Sequence, residues 1–136
     1  MRKRTISREI ALKILYATDI TKEPLEESSR KFWENHEEKE DEIKDYADHL
    51  VSGVGENMER IDAVISKYAA NWEIGRMASI DRNILRVASF ELLFSADIPP
   101  KVAINEAIEI SKKYGDKDSS KFVNGVLDKI SKTEER

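Results

Sequence analysis

The apolar residues of this chain recur at intervals of three and four positions, which is the spacing of one face of an α-helix. Seven such stripes follow one another, and they begin at Ile6, Leu25, Ile43, Met58, Ile80, Val102 and Phe122. No window of five or more residues alternates strictly between apolar and polar side chains, as a half-buried strand would. The pattern predicts an all-α protein of six or seven helices.

Residues between the stripes are typical of helix ends. Ser7 is a candidate N-cap for the first helix, and Gly115 stands where the sixth helix should end. The stretch 71–75 reads as a break between helices. A length of 136 residues suits a single domain. The predicted organisation of residues 1–136 is a basic arm and two helical halves, at 1–6, about 7–70 and about 71–132.

Charge is unevenly distributed along the chain. The 23 basic and 27 acidic residues give a net charge of −4. Residues 1–13 hold five basic side chains against one acidic, whereas residues 23–48 hold 11 acidic side chains against four basic. A basic arm on an acidic body suggests a local contact with a polyanion. The alternative is a solvated terminus whose charges only aid solubility.

The composition argues against several classes of protein. The chain has no Cys, which excludes a disulfide scaffold, a thiol nucleophile and a Cys zinc site. Its histidines, His36 and His49, lack the further ligands of a metal site. Gly53 and Gly55 lack the third glycine and the preceding strand of a dinucleotide loop, so close packing or a helix stop is the better interpretation. No apolar run approaches 18 residues. We expect a cytoplasmic protein that is not an enzyme and needs no cofactor or metal.

The start of the last predicted helix is a second candidate for anion binding. Backbone N–H groups at a helix N-terminus attract phosphate, and residues 118–120 lie at such a place. Asp118 and Ser119 also suit ordinary N-capping. Lys121 adds positive charge and Phe122 offers a ring on which a base can stack. Since Phe122 also begins a core stripe, burial and base stacking both stay open.

Two further features depend on packing. Gly125 falls inside the last predicted helix, where glycine costs about 1 kcal/mol relative to alanine. We favour the close approach of a neighbouring helix as its explanation. The trio Arg76, Arg82 and Arg86 either extends a basic surface or pairs with the acidic run, and the sequence does not choose between these.

Three segments of the chain carry a family resemblance. The first is residues 8–16, REIALKILY, and the second is residues 81–92, DRNILRVASFEL. The third and most specific comprises residues 101–110, KVAINEAIEI, and residues 120–130, SKFVNGVLDKI. Together these segments resemble the NusB transcription antitermination factor family. The resemblance covers nearly the whole chain.

The resemblance implies an all-α fold of two helical halves and a function in transcription antitermination. Members of the family pair with NusE, which is also a small-subunit ribosomal protein. The pair binds the boxA element of nascent single-stranded RNA and joins the RNA polymerase elongation complex, chiefly in ribosomal RNA operons. The alternative from the sequence is a helical protein–protein adapter that binds no RNA. The sequence does not distinguish a free monomer from a homodimer.

The candidate site residues follow from the arm, the last helix and the resemblance. The RNA-binding candidates are Arg2, Lys3, Arg4, Arg8, Asp118, Ser119, Lys121 and Phe122. The arm would neutralise phosphates, and the Arg8 guanidinium would add stacking. By resemblance, Tyr16 and Asp81 match the NusE-facing surface. A half-buried core ring is the alternative for Tyr16, and helix-start electrostatics is the alternative for Asp81.

Overall fold

The computed structural model describes residues 2–70 and 72–134, and these residues form helices joined by short connections without a strand. The helices are α1 (Lys3–Thr21), α2 (Leu25–Asn35), α3 (Asp41–Glu56), α4 (Met58–Tyr68), α5 (Ser79–Phe94), α6 (Pro100–Tyr114) and α7 (Ser119–Thr133). A short 3₁₀ turn at Ile74–Arg76 precedes α5. Each predicted stripe has become a helix, so the all-α prediction is confirmed.

The N-terminus differs from the prediction. Helix α1 begins at Lys3, so residues 3–6 form its first turn and not a separate arm, while residue 1 lies outside the described residues. Ser7 is therefore inside α1 and is not its N-cap. The Ser7 hydroxyl is fully buried and donates to the backbone carbonyl of Ile43 at 2.8 Å. This bond ties the start of α1 to the start of α3.

Helix α5 is the centre of the molecule. Every residue from Asn83 to Leu93 is buried, as expected for a helix surrounded by others. It packs against α1, α3 and α4 of the first predicted half and against α6 and α7 of the second. Side chains at most 1% exposed meet around it, including Ile14, Leu50, Ile61, Leu85 and Leu127. The division into halves near residue 71 stays a prediction, and Asn71 itself lies outside the described residues.

A buried ion network joins α1 to α5 and α6. Arg8 is 4% exposed, and its Nε and Nη2 each donate to the Glu91 carboxylate at 2.9 Å. Its Nη1 donates to Glu106 Oε1 at 2.7 Å. The Tyr46 hydroxyl on α3 also donates to Glu91, and the Thr5 hydroxyl donates to Glu106. Hydrogen bonds to the carboxylates of Glu91 and Glu106 therefore connect α1, α3, α5 and α6.

Two glycines in helices behave in opposite ways. A Cβ on Gly53 would lie 2.3 Å from carbon atoms of the Phe90 ring, so glycine is needed there for α3 to approach α5. A Cβ on Gly125 would meet no atom within 4 Å, and Gly125 is exposed. The prediction of close packing therefore fits Gly53, but it is wrong for Gly125.

We expect Glu91→Gln to lower the free energy of unfolding by about 3 kcal/mol, because Arg8 would keep its charge in the core with one carboxylate instead of two. Urea unfolding measures the change. The matched control is Glu109→Gln on α6, whose exposed pair with Lys112 should contribute less than about 0.5 kcal/mol. Equal effects of the two substitutions would contradict a structural role for the network.

We expect Gly53→Ala to destabilise the protein by about 1–3 kcal/mol, since its methyl group would overlap the Phe90 ring. Gly125→Ala should instead stabilise the protein by up to about 1 kcal/mol, since only helix propensity changes there. Thermal and urea unfolding of the two variants provide the comparison. A loss of stability in Gly125→Ala would show that its side of α7 is packed.

Candidate nucleic-acid and protein interfaces

The basic N-terminus, defined here as Arg2, Lys3 and Arg4, lies at the surface with each cation paired. Arg2 lies 3.6 Å from Glu106, and Arg4 lies 3.7 Å from Asp97. Lys3 contacts two carboxylates of the acidic run, Glu40 at 3.0 Å and Glu42 at 2.8 Å. All three basic side chains are more than half exposed. Exposed ion pairs contribute about 0–1 kcal/mol each, so a polyanion can displace the carboxylates from Lys3 and Arg4. Glu106, the partner of Arg2, is buried.

Arg8 does not belong to this surface, and its assignment as an RNA contact is wrong in this structure. Its guanidinium is buried and is bonded to Glu91 and Glu106. A stacking role would require this charge to leave both carboxylates in the core, which is costly. The sequence could not reveal the burial, because the partners lie 83 and 98 positions away.

Arg4 rests on an aromatic ring that the buried network holds in place. Its guanidinium carbon lies 4.3 Å from the centre of the Tyr46 ring, a cation–π distance. Burial, followed by the hydrogen bond to Glu91, raises the pKa of Tyr46, so its hydroxyl stays a donor. Lys3, Arg4, Tyr46 and His49 line the same cleft of about 300 Å³. The network thus positions an exposed guanidinium at the surface.

The start of α7 is arranged differently from the prediction. Asp118 is exposed at the N-cap position but makes no side-chain capping bond. Ser119 is 2% exposed, and its hydroxyl accepts from the Asp116 backbone N–H at 3.0 Å. The Ser119 side chain is therefore not a surface contact, and that part of the prediction is wrong. The carboxylate of Asp116 accepts a hydrogen bond from the Asp118 backbone N–H at 2.9 Å, which gives this N–H group a partner at the start of α7.

Lys121 and Phe122 do reach the surface. Lys121 is exposed, while Phe122 is half-buried and packs its inner side against the core. The outer part of Phe122 meets the edge of Trp72, with ring centres 6.0 Å apart. Trp72 is 55% exposed. Trp72 is not among the residues predicted from the sequence, although a tryptophan outside every apolar stripe is a signal of an exposed aromatic side chain.

Asp81 lies beside these residues in an acidic cleft of about 310 Å³. The cleft is lined by Trp72, Met77, Ala78, Asp81, Asp116, Asp118, Ser119 and Phe122. Asp81 Oδ1 is buried and has no hydrogen-bond partner in the described residues. Burial and the neighbouring Asp116 raise the pKa of Asp81, while the Ser119 hydroxyl acts in the opposite direction. The structure therefore brings a predicted partner residue and predicted RNA residues into one cleft.

Tyr16 is 38% exposed on the second half of α1, so it is not a core ring. Ile20, one turn further along α1, is 58% exposed. The spacing of these two residues places them on one face of the helix. Ile20 is not among the residues predicted from the sequence, although an apolar residue four positions after Tyr16 indicates a shared helix face. Together they form an apolar surface on α1.

Neither explanation of the arginine trio fits Arg82 and Arg86. Both contact Asp19 on α1, at 2.9 Å and 3.3 Å respectively. Arg86 also donates twice to Asp62 on α4, at 2.8 Å and 2.9 Å. Burial acts to raise the pKa of Asp19, but hydrogen bonds and the nearby arginines lower it overall. These charges hold α1, α4 and α5 together and extend no basic surface.

The two candidate surfaces lie at different levels along α6. The basic N-terminus contacts Glu106, whereas α7 begins shortly after Tyr114. Eight residues of α6 separate these points, which is about 12 Å of helix. The two surfaces are therefore distinct regions of the molecule.

The described residues hold no group of three or more His, Cys, Asp or Glu side chains placed to bind a metal. Among them, no helix is long and apolar enough to cross a membrane. Basic, aromatic and acidic side chains instead gather in shallow clefts on the surface. The fold and these surfaces define a small helical binding protein.

Comparison with known proteins supplies the family. The NusB family model matches residues 5–132. The transcription antitermination protein NusB of Thermodesulfovibrio yellowstonii is 45% identical, over 97% of this chain and 93% of the relative. That of Trichlorobacter lovleyi is 49% identical, over 96% of this chain and 93% of the relative. The chain belongs to the NusB family.

Solved structures agree with this assignment. The structure of T. maritima NusB matches with a TM-score of 0.87 and 39% identity, covering 98% of this chain and 93% of that chain. A chain from the crystal structure of the antitermination factors NusB and NusE in complex with dsRNA also matches with a TM-score of 0.87. Its identity is 33%, and the match covers 98% of this chain and 99% of that chain.

We expect Asp81→Asn to be more stable than the wild type at neutral pH. A carboxyl whose pKa is raised by folding disfavours the folded state once it is ionised, so stability falls as the pH rises from its ordinary pKa of 3.8 through the raised value. Below that range the two proteins should be equally stable. Unfolding by urea across this pH range measures the difference. Asp128→Asn, at an exposed pair with Lys132, is the matched substitution of a surface carboxylate.

Proposed function

We propose that this chain is an RNA-binding transcription antitermination factor that acts with NusE in the cytoplasm. The pair would bind boxA in nascent RNA and join the elongating RNA polymerase to suppress termination. The observation that carries the proposal is the match over 98% of the chain to a structure of NusB with NusE and dsRNA. The proposed role requires binding and orientation of macromolecules, and no bond is made or broken.

The basic N-terminus supports the RNA part of the proposal. Arg2 directly precedes α1, and Lys3 and Arg4 lie in its first turn. The carboxylate partners of Lys3 and Arg4 are held only by exposed ion pairs. Exchange of a carboxylate for a phosphate retains the charge pairing and releases counterions from the RNA. Arg4 is held above Tyr46, which reduces the conformational freedom that it loses on binding.

Lys121, Phe122 and Asp118 support a second RNA contact. Lys121 supplies a positive charge and the exposed part of Phe122 supplies a stacking face. Asp118 would repel phosphate, but its carboxylate can accept a hydrogen bond from a base amino group. We propose that it adjusts which bases are bound.

Tyr16 and Asp81 support the protein contact. Tyr16 and Ile20 are exposed on one face of α1, so an apolar side chain of a partner can pack against them. Asp81 Oδ1 is buried and has no hydrogen-bond partner among residues 2–70 and 72–134. A basic side chain placed beside this carboxylate would pair with a group that folding has already desolvated. Ribosomal proteins are usually basic, which fits NusE as this partner.

We expect a labelled single-stranded boxA RNA to bind more tightly than a scrambled strand, and to bind more tightly still when NusE is added. Fluorescence anisotropy at two salt concentrations measures both effects. Arg4→Ala should weaken binding and reduce the slope of log K against log salt by about 0.7, the contribution of one phosphate contact on a single strand. Arg76→Ala is the matched control, since Arg76 is also exposed and lies 3.6 Å from a carboxylate.

A duplex containing the same sequence tests whether RNA is bound as a single or a double strand. Equal, weak binding to every RNA, unchanged by NusE, would overturn the proposed function and leave a helical adapter. Size-exclusion chromatography with light scattering on the free protein shows whether it is a monomer or a homodimer.

A further inference from the structure

Gly125 lies in the interior of α7 without a packing reason. It is exposed, and a Cβ there would meet no atom within 4 Å. Glycine is unfavourable in a helix interior relative to alanine, so a small side chain would stabilise α7 at no steric cost within the protein. Packing within the protein therefore does not explain glycine at residue 125, and a bound molecule is the remaining explanation.

The space above Gly125 is a cleft on the outer face of α7. The α7 cleft has a volume of about 480 Å³, and its chief side chains are Trp72, Lys121, Phe122 and Lys129. Phe122 lies one turn before Gly125 and meets the edge of Trp72, so the two aromatic rings form one wall. Any side chain larger than hydrogen at residue 125 would project into this space.

Two lysines flank the glycine along the helix. Lys121, Gly125 and Lys129 are spaced by four residues each and so form one row on α7. The lysines lie about 12 Å apart along the axis. Within the described part of the chain neither of them has an ion-pair partner, in contrast to the paired cations of the basic N-terminus. Of the described residues that line the cleft, Asp118 at one end is the one acidic side chain.

We propose that Gly125 keeps open a nucleotide subsite in which a base packs against Trp72 and Phe122 and the flanking phosphates lie on Lys121 and Lys129. The inference rests on the proposed RNA-binding function and adds to it Gly125, Trp72 and Lys129. An aromatic wall between two cations fits a single strand, because the bases of a duplex are stacked on each other and do not reach a protein ring. An acidic peptide would satisfy the lysines but would leave the rings unused.

The sharpest test uses Gly125→Leu, because it should change stability and binding in opposite directions. The variant should unfold at a higher temperature than the wild type, since a helix former replaces glycine at an exposed site. Its affinity for single-stranded boxA RNA should fall at least about fivefold, the lower limit for the loss of one stacked base. Asn124→Leu, on the neighbouring exposed position of α7, is the control and should bind as the wild type does.

Tryptophan fluorescence provides an independent reading. The chain has two tryptophans, Trp33 and Trp72. In a Trp33→Phe background the remaining fluorescence comes from Trp72, and RNA should quench it if a base stacks on this ring. A Trp72→Ala substitution should weaken RNA binding at least about fivefold. A polyglutamate peptide should neither quench Trp72 nor displace the RNA.

The outcomes separate this inference from the proposed function. Wild-type protein that binds no RNA would overturn both. Wild-type binding that is retained in Gly125→Leu, a lower unfolding temperature in that variant, or quenching by polyglutamate would each overturn the subsite while leaving the proposed function intact. Higher stability with weaker RNA binding in Gly125→Leu, and RNA-dependent quenching of Trp72, would establish it.

Discussion

The buried charge of Arg8 is the constraint on which the rest of the structure depends. A guanidinium in a protein core is unfavourable unless carboxylates surround it, and here Glu91 and Glu106 come from two other helices. Their pairing fixes how α1 lies against α5 and α6. The Tyr46 hydroxyl extends the same network to α3, and the Tyr46 ring holds Arg4 at the surface. One buried ion cluster therefore sets both the helix arrangement and the orientation of an exposed cation.

A second charge cluster holds the other end of α1. Asp19 accepts hydrogen bonds from Ser79, Arg82, Asn83 and Arg86 at the start and middle of α5. The two clusters together hold both ends of α1 against α5, through Arg8 with Glu91 and through Asp19 with Arg82 and Arg86. Among the described residues, the buried charged side chains are Arg8, Glu9, Arg86, Glu91 and Glu106. The net charge of −4 does not show how the remaining charges are arranged on the surface. What an incoming macromolecule meets is decided by the side chains that remain outside.

The exposed side chains form two surfaces that differ in how strongly their cations are already paired. At the basic N-terminus, Lys3 and Arg4 pair with exposed carboxylates, so binding there is an exchange of one weak pair for another. Arg2 instead pairs with the buried carboxylate of Glu106. In the α7 cleft, Lys121 and Lys129 have no such competitors in the described structure, and two aromatic rings are added. On the proposed function, we expect the first surface to contribute general attraction for RNA and the second to contribute base contacts. Asp81 adjoins the second surface through the acidic cleft, so a partner bound there would lie beside the RNA.

Much of this protein was determined by its sequence alone. The spacing of apolar residues predicted six or seven helices, because local periodicity decides which face of a helix is buried. The motifs in α1, α5, α6 and α7 indicated the family. Only the tertiary structure decided which individual polar residues are buried and which are exposed. Arg8 and Arg4 look alike in the sequence, yet one is 4% exposed and the other half exposed, because the carboxylates that pair with Arg8 lie 83 and 98 residues away. Gly53 and Gly125 differ for the same reason: whether a helix passes close to a glycine depends on contacts between distant segments, which no local pattern encodes.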